Sequence, residues 1–130
     1  NIKLKGKIDR IDEIDGVLRI TDYKTGSIAL NDALFKEVEE CISKRKQKVF
    51  QLLFYNFLLL EHVNYKPYFE SQNVSASIFS TKNKAHYYLT QDKIRFKGAI
   101  DQLAAFEQLI KGLITEICSG DTFDLKASSD

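Results

Sequence analysis

Three residues near the start of the chain have the types and spacing to do chemistry: Asp9, Asp22 and Lys24. They lie in GKIDRIDEIDGVLRITDYKTG, residues 6–26. Asp22 and Lys24 are two apart, so on a strand both side chains leave the same face. Leu18 and Ile20 precede them there, so the face passes from apolar to charged, as in a strand leaving a core for a cleft. Asp15-Gly16 between two alternating runs predicts a hairpin. A two-residue turn on that pair sets opposite each other residues whose numbers sum to about 31, so Asp9 faces Asp22. Opposed carboxylates repel, unless a divalent cation lies between them. Two carboxylates suit Mg²⁺, with Mn²⁺ as a possible substitute, because a hard ion takes few protein oxygens, keeps several waters and binds substrate phosphate. A lysine beside them can orient or help deprotonate an attacking water and stabilise charge developing on phosphorus. The chemistry is metal-dependent phosphoryl transfer. The same spacing also suits a surface hairpin with solvated charges, and D-x-K alone does not separate the two. The alternation of Ile2, Leu4, Gly6 and Ile8 moreover puts Asp9 on the lysine face, which a bulge at Gly6 would reset.

These residues need elements to position them. The pattern predicts a strand from Ile2 to Glu13 and a second over Val17 to Lys24. Asn31 or Asp32 is expected to cap a helical turn through Leu34, Phe35, Val38 and Ile42. The basic cluster KRKQK, residues 44–48, leads into VFQLLFYNFLLLEH, residues 49–62, a helix buried on more than one face. Gln51 and Tyr55 stack on one face of it, and Lys44 and Lys48 extend that stripe into a polar, basic edge. By themselves, those four read equally as interfacial polar groups and a solvated helix start. Lys66-Pro67 breaks the pattern. VSASIFST, residues 74–81, predicts a third strand and residues 86–90 a fourth. A helix follows from Gly98 to Ser119, with an apolar stripe of Leu103, Phe106, Ile110, Leu113 and Ile117 and a stop at Gly120. The order implies an α/β (α+β) fold with a mixed central β-sheet flanked by helices. Strand alternation turns Arg10 and Tyr23 away from the carboxylates. His62 and His86 read as structural.

Composition narrows the function classes. The 130 residues suit one domain, and 44% hydrophobic with 28% charged residues is ordinary for a globular one. A net charge of +1 excludes a global basic field, so any nucleic-acid contact rests on local charge. Cys41 and Cys118 are too few for a disulfide framework and lack metal-ligand spacing. They read as free thiols of a reducing, cytoplasmic compartment. No apolar run reaches the roughly 20 residues of a membrane span, and no signal peptide is present, so no membrane role is expected. The chain has no methionine, so residues 1–130 read as a single domain excised from a larger protein.

LKGKIDRID, then ITDYKTG, then a helix with QLLFY resembles, in that order, the RecB/AddB-type branch of the PD-(D/E)XK nuclease superfamily. The resemblance covers roughly residues 4–60 and implies a restriction-endonuclease-like core. It implies that Asp9 and Asp22 bind the metal, that Lys24 is catalytic with them, and that Gln51 and Tyr55 support the site and the DNA. It further implies a Mg²⁺-dependent deoxyribonuclease, an exonuclease, within a helicase–nuclease of DNA repair and recombination. DNA and the helicase or other domains of the parent protein would be its partners. Two features depart from the family. Relatives carry a helix before the first motif that supplies another acidic or histidine residue; here the core is expected to lack that helix, and the fragment alone can be inactive. Many relatives carry an iron–sulfur cluster, which takes four thiolates, so none is expected in this fragment. The alternative is a catalytically inactive nuclease-fold module that binds DNA or scaffolds, whose DNA binding needs no metal and falls with salt.

Overall fold

The computed structural model describes residues 6–117. Strands β1 (Arg10–Ile14) and β2 (Val17–Lys24) pair antiparallel through Asp15-Gly16. Both turn residues have positive φ, 53° and 79°, as a type I′ hairpin requires. Arg10 lies opposite Thr21, Ile11 opposite Ile20 and Ile14 opposite Val17, which is the register expected from the turn. The first strand is shorter than its alternation suggested. Residues 6–8 have no ladder partner, a bend falls at Asp9, and residues 2–5 lie outside the described residues.

The segment expected to hold a helical turn forms no α-helix. It contains three 3₁₀ turns (Leu30–Ala33, Val38–Ile42 and Lys44–Lys46) and a two-residue strand β3, Leu34–Phe35. Carboxylates organise the first two turns locally: Asp32 Oδ2 accepts from the Ala29 N–H at 2.9 Å, and Glu40 Oε2 from the Glu37 N–H at 2.8 Å. Helix α1, Gln47–Leu60, follows, starting two residues before the sequence pattern placed it. Pro67 does not break the chain's helicity but opens a short helix α2, Lys66–Glu70. At the first turn its missing N–H is no loss and its fixed φ fits.

Strand β4, Val74–Ser80, runs parallel to β2, and β5, Ala85–Tyr88, runs antiparallel to β4. The sheet order is β1-β2-β4-β5. Parallel neighbours need a crossover connection, and the one from β2 to β4 carries α1. A second sheet, absent from the sequence expectation, joins β3 to β6 (Thr90–Gln91) and β7 (Ile94–Arg95). Helix α3, Ile100–Ile117, closes the described chain; the stop expected at Gly120 lies outside it.

The architecture is mixed α+β, with two mixed sheets flanked by helices. The main core lies between one face of the larger sheet and the helices. Leu18, Ile20, Ala76 and Ile78 face Val49, Leu52, Leu53, Leu103 and Phe106 within one buried cluster. Phe106 of α3 packs edge-on against Phe50 of α1, ring centroids 5.2 Å apart. Gly98, before α3, has φ +84°, and a Cβ there would meet Phe69 at 2.8 Å and Val74 at 2.9 Å. Only glycine satisfies both demands.

Candidate active site

Along β2, Leu18, Ile20, Asp22 and Lys24 share the face toward α1, at 2%, 1%, 0% and 5% exposure. The charged end of the strand is therefore as enclosed as its apolar end, rather than opening into solvent. Lys24 Nζ lies 3.0 Å from Asp22 Oδ2. That contact is an ion pair; Asp9 and Tyr55 also lie close to the carboxylate, but neither of its oxygens has a partner of good hydrogen-bond geometry. A buried carboxylate left this way is costly, and the cost shows in its proton affinity. Burial pushes the Asp22 carboxyl from 3.8 up to about 6; Lys24 pulls it down, and nearby Asp9 pushes it up again.

Asp9 reaches the site by the expected register, one step beyond the Arg10–Thr21 pair. Its Oδ2 accepts a hydrogen bond from the Tyr23 N–H at 2.9 Å. The parity problem raised by the Ile2–Ile8 alternation does not arise among the described residues, because β1 begins at Arg10 and residues 6–8 stand outside its ladder. Asp9 shares the face of Ile11, which packs against the core. Gly6 acts through close approach and not through a bulge: a Cβ there would come within 2.8 Å of Phe54 and 3.0 Å of Leu58 on α1. Its bare backbone lets the incoming chain lie on the helix just before Asp9.

From α1 come Gln51 and Tyr55, stacked one turn apart as their spacing predicts. Both are buried, and Gln51 Nε2 donates to the Tyr55 hydroxyl at 3.0 Å. Burial, then the charges of Asp22 and Asp9, hold the Tyr55 phenol well above its usual range. Tyr55 thus lies within the field of both carboxylates. Asp9, Asp22, Lys24, Gln51 and Tyr55 form one constellation.

The two further lysines behave differently. Lys48 is on α1, one turn before Gln51, and is half-buried; Lys44 is exposed in a 3₁₀ turn. The change from 3₁₀ to α geometry after Lys46 interrupts the stripe, so Lys44 does not continue the Gln51–Tyr55 face by helical repetition. Lys46 is occupied as well, its ammonium donating to the Asn31 and Leu34 carbonyls.

Three residues that the sequence reading passed over hold the end of β2. The Thr81 N–H donates to the Lys24 carbonyl at 2.9 Å. Ser80 Oγ donates to the Gly26 carbonyl and accepts from the Asn83 N–H, both at 2.9 Å. STKN after an alternating strand is turn chemistry, and that was the available signal. Arg10 and Tyr23 do lie on the opposite face of the sheet. His62 and His86 engage local partners, the Asn64 N–H and the Ser77 hydroxyl. Cys41 is buried, and burial pushes its thiol up to about 12, so it is inert as a nucleophile. Cys118 lies outside the described residues.

Among the described residues, no group of three or more His, Cys, Asp or Glu side chains could hold a metal. A site here rests on two carboxylates, which is what Mg²⁺ commonly takes when substrate phosphate and water complete its shell. The donor set fits: Asp22 Oδ1 is buried and unpartnered, Asp9 is close enough to raise its proton affinity, and both supply hard oxygens. Among the described residues no helix is long and apolar enough to cross a membrane. No curated protein and no solved structure matches the chain at a significant level. A family model for the PD-(D/E)XK nuclease superfamily, whose members generally use divalent metals, matches residues 1–130. The match spans the buried Asp-x-Lys end of β2 and the whole described fold, and the chain belongs to the PD-(D/E)XK nuclease superfamily.

Proposed function

We propose that the chain is a Mg²⁺-dependent deoxyribonuclease centre, with the ion held between Asp9 and Asp22. The observation that carries this reading is the buried Asp22 carboxylate, unpartnered at Oδ1 and 3.0 Å from the Lys24 ammonium at Oδ2. A carboxylate with no task would not be maintained there against the cost of its burial. When bound, the ion supplies Lewis-acid polarisation of the phosphate and acidifies the attacking water. Asp9 is oriented for its share of the ligation by the Tyr23 N–H. Lys24 holds a positive charge beside the reacting phosphate, where it orients the water and stabilises the negative charge that builds up as the water oxygen bonds to phosphorus. The attacking water gives up a proton to solvent, the P–O bond to the leaving sugar breaks, and the leaving oxygen takes up a proton from solvent. Gln51 and Tyr55 keep the wall of the site polar and fixed, and Lys48 adds a cation one turn away.

The wider context belongs to the same proposal. The order of GKIDRID, DYKTG and QLLFY supports an exonuclease of the RecB/AddB type, acting on DNA ends beside a helicase in repair and recombination. A reducing, cytoplasmic setting is supported by the free, buried Cys41 thiol. The test is cleavage of linear and closed-circular DNA, each single- and double-stranded, in Mg²⁺ or Mn²⁺, by the chain and its Asp22→Ala variant. Metal-dependent cleavage of linear DNA that the variant loses is expected. Equal cutting of circles would contradict the exonuclease assignment. Cleavage that survives Asp22→Ala would contradict the site, and metal-independent binding without cleavage would favour the DNA-binding or scaffolding role.

A further inference from the structure

The larger sheet has a second face, which the nuclease reading leaves unused. Tyr23 pairs with Phe79 across β2 and β4, and Phe79 pairs with His86 across β4 and β5. Tyr88 is two residues beyond His86 on the same face. Their rings form an unbroken row: Tyr23 to Phe79 at 6.0 Å between centroids, Phe79 to His86 at 4.8 Å, and His86 to Tyr88 at 5.8 Å. Each end carries a cation. Arg95 stacks its guanidinium 3.7 Å above the Tyr88 ring. Arg10 stands at the other end, paired with Asp12 at 3.0 Å, while Arg19 lies 3.1 Å from the other oxygen of that carboxylate, so the two arginines leave a net positive charge there.

This row is not the inner lining of a protein core. The opposite face of β2 and β4 carries Leu18, Ile20, Ala76 and Ile78, all buried. The row has no aliphatic residue between its rings; its spaces are filled by Thr21 and Ser77. His86 and Arg95 are exposed, and Tyr23, Phe79 and Tyr88 are half-buried. A helix docking on a sheet wants aliphatic ridges. Rings interleaved with hydroxyls and flanked by arginines suit planar, polar, anionic matter. The Arg95 guanidinium covers one face of Tyr88, so a base stacking there takes its place and releases Arg95 to a phosphate.

We infer that the sheet face of Tyr23, Phe79, His86 and Tyr88, bracketed by Arg10 and Arg95, binds unpaired nucleotides of single-stranded nucleic acid, on the side of the sheet opposite Asp9 and Asp22. Bases stack on the rings, and the arginines meet backbone phosphates. Every base has a π-face, so this strip is tolerant of sequence. A duplex keeps its bases stacked on each other and cannot use it. The inference goes beyond the nuclease reading and needs no metal.

The test is fluorescence anisotropy of the full chain with a labelled oligothymidylate of about fifteen nucleotides, in EDTA at low salt. Tyr88→Ala is expected to weaken binding roughly 5- to 150-fold, the range that loss of one base–ring stack gives. Arg95→Gln is expected to lower the slope of log K against log salt by about 0.7, one phosphate contact to a single strand. The assay runs in EDTA, where no metal-dependent cleavage occurs, so this surface and the nuclease site fail separately. The chain has no tryptophan, so Tyr88→Trp gives a single reporter, and its emission is expected to quench on addition of the single strand but not of the matched duplex. A Tyr88→Trp protein that folds and binds without quenching overturns the inference. So does unchanged affinity in Tyr88→Ala, or a blue-shifted reporter in a self-associated chain without nucleic acid, which would mark a protein–protein face.

Discussion

Replacing Asp22 by asparagine should make the metal-free protein more stable while removing its activity. The folded carboxyl is lifted from 3.8 to about 6, chiefly by burial and despite the attraction of Lys24. The folded state therefore holds this proton more tightly than the unfolded chain does. The stability it contributes is fully present below 3.8, falls as pH rises toward 6, and is lost above that. At about 1.4 kcal/mol per pKa unit the loss is about 3 kcal/mol. Asparagine has nearly the shape of the protonated acid and never ionises. In EDTA near neutral pH, Asp22→Asn should raise stability by up to about 3 kcal/mol, and by close to nothing near pH 4. Urea unfolding reads this directly: the neutral-pH midpoint should move up by roughly 1–3 M for an m-value typical of small domains. Saturating Mg²⁺ should then stabilise the wild-type chain by mass action and leave the asparagine variant unmoved. An asparagine variant less stable than wild type at neutral pH, or a difference that does not change with pH, would refute the claim that Asp22 is held ionised against its own burial.

Other consequences are as specific. Apparent Mg²⁺ affinity should fall about tenfold for each pH unit below 6, because Asp22 takes a proton there before it takes the ion; calorimetric titration across that range measures it. Lys24→Gln should lower the cleavage rate about 10²- to 10³-fold, as loss of one charge-stabilising donor does, while calorimetry shows the ion still bound. Tyr55→Phe removes the hydroxyl that accepts from the Gln51 amide and should cost about 0.5–1.5 kcal/mol in urea unfolding, the net worth of one hydrogen bond. Gly98→Ala should cost at least about 2 kcal/mol in the same assay, because the added Cβ meets Phe69 and Val74 inside 3.0 Å at a positive φ.

Much of the site could be read from the sequence because its geometry is local. One Asp-Gly turn fixes the hairpin register, and the register alone puts Asp9 across from Asp22. The spacing of Gln51 and Tyr55 fixes their shared helix face in the same way. What could not be read depends on distant partners. β3 exists because residues 90–91 come alongside it and because Phe35 packs on Phe96. No periodicity in a two-residue strand announces that. Lys44 looked like a helical neighbour of Gln51 because spacing assumes one helix, whereas the chain passes through a 3₁₀ turn first. The burial of Lys24 was hidden too, since a lysine in a sequence reads as exposed. Pro67 reads as a break in the sequence because the role of a proline depends on its place within a helix, and here it is in the first turn.

The proposed nuclease centre requires that Asp9 and Asp22 hold one divalent ion beside Lys24. Anomalous scattering from a crystal of the chain grown with Mn²⁺ tests it most directly. A peak is expected within coordination distance, about 2.0–2.3 Å, of a carboxylate oxygen of both aspartates, and no such peak in Asp22→Asn. A peak bound elsewhere, or an ordered Lys24–Asp22 pair with no ion at saturating Mn²⁺, would contradict it.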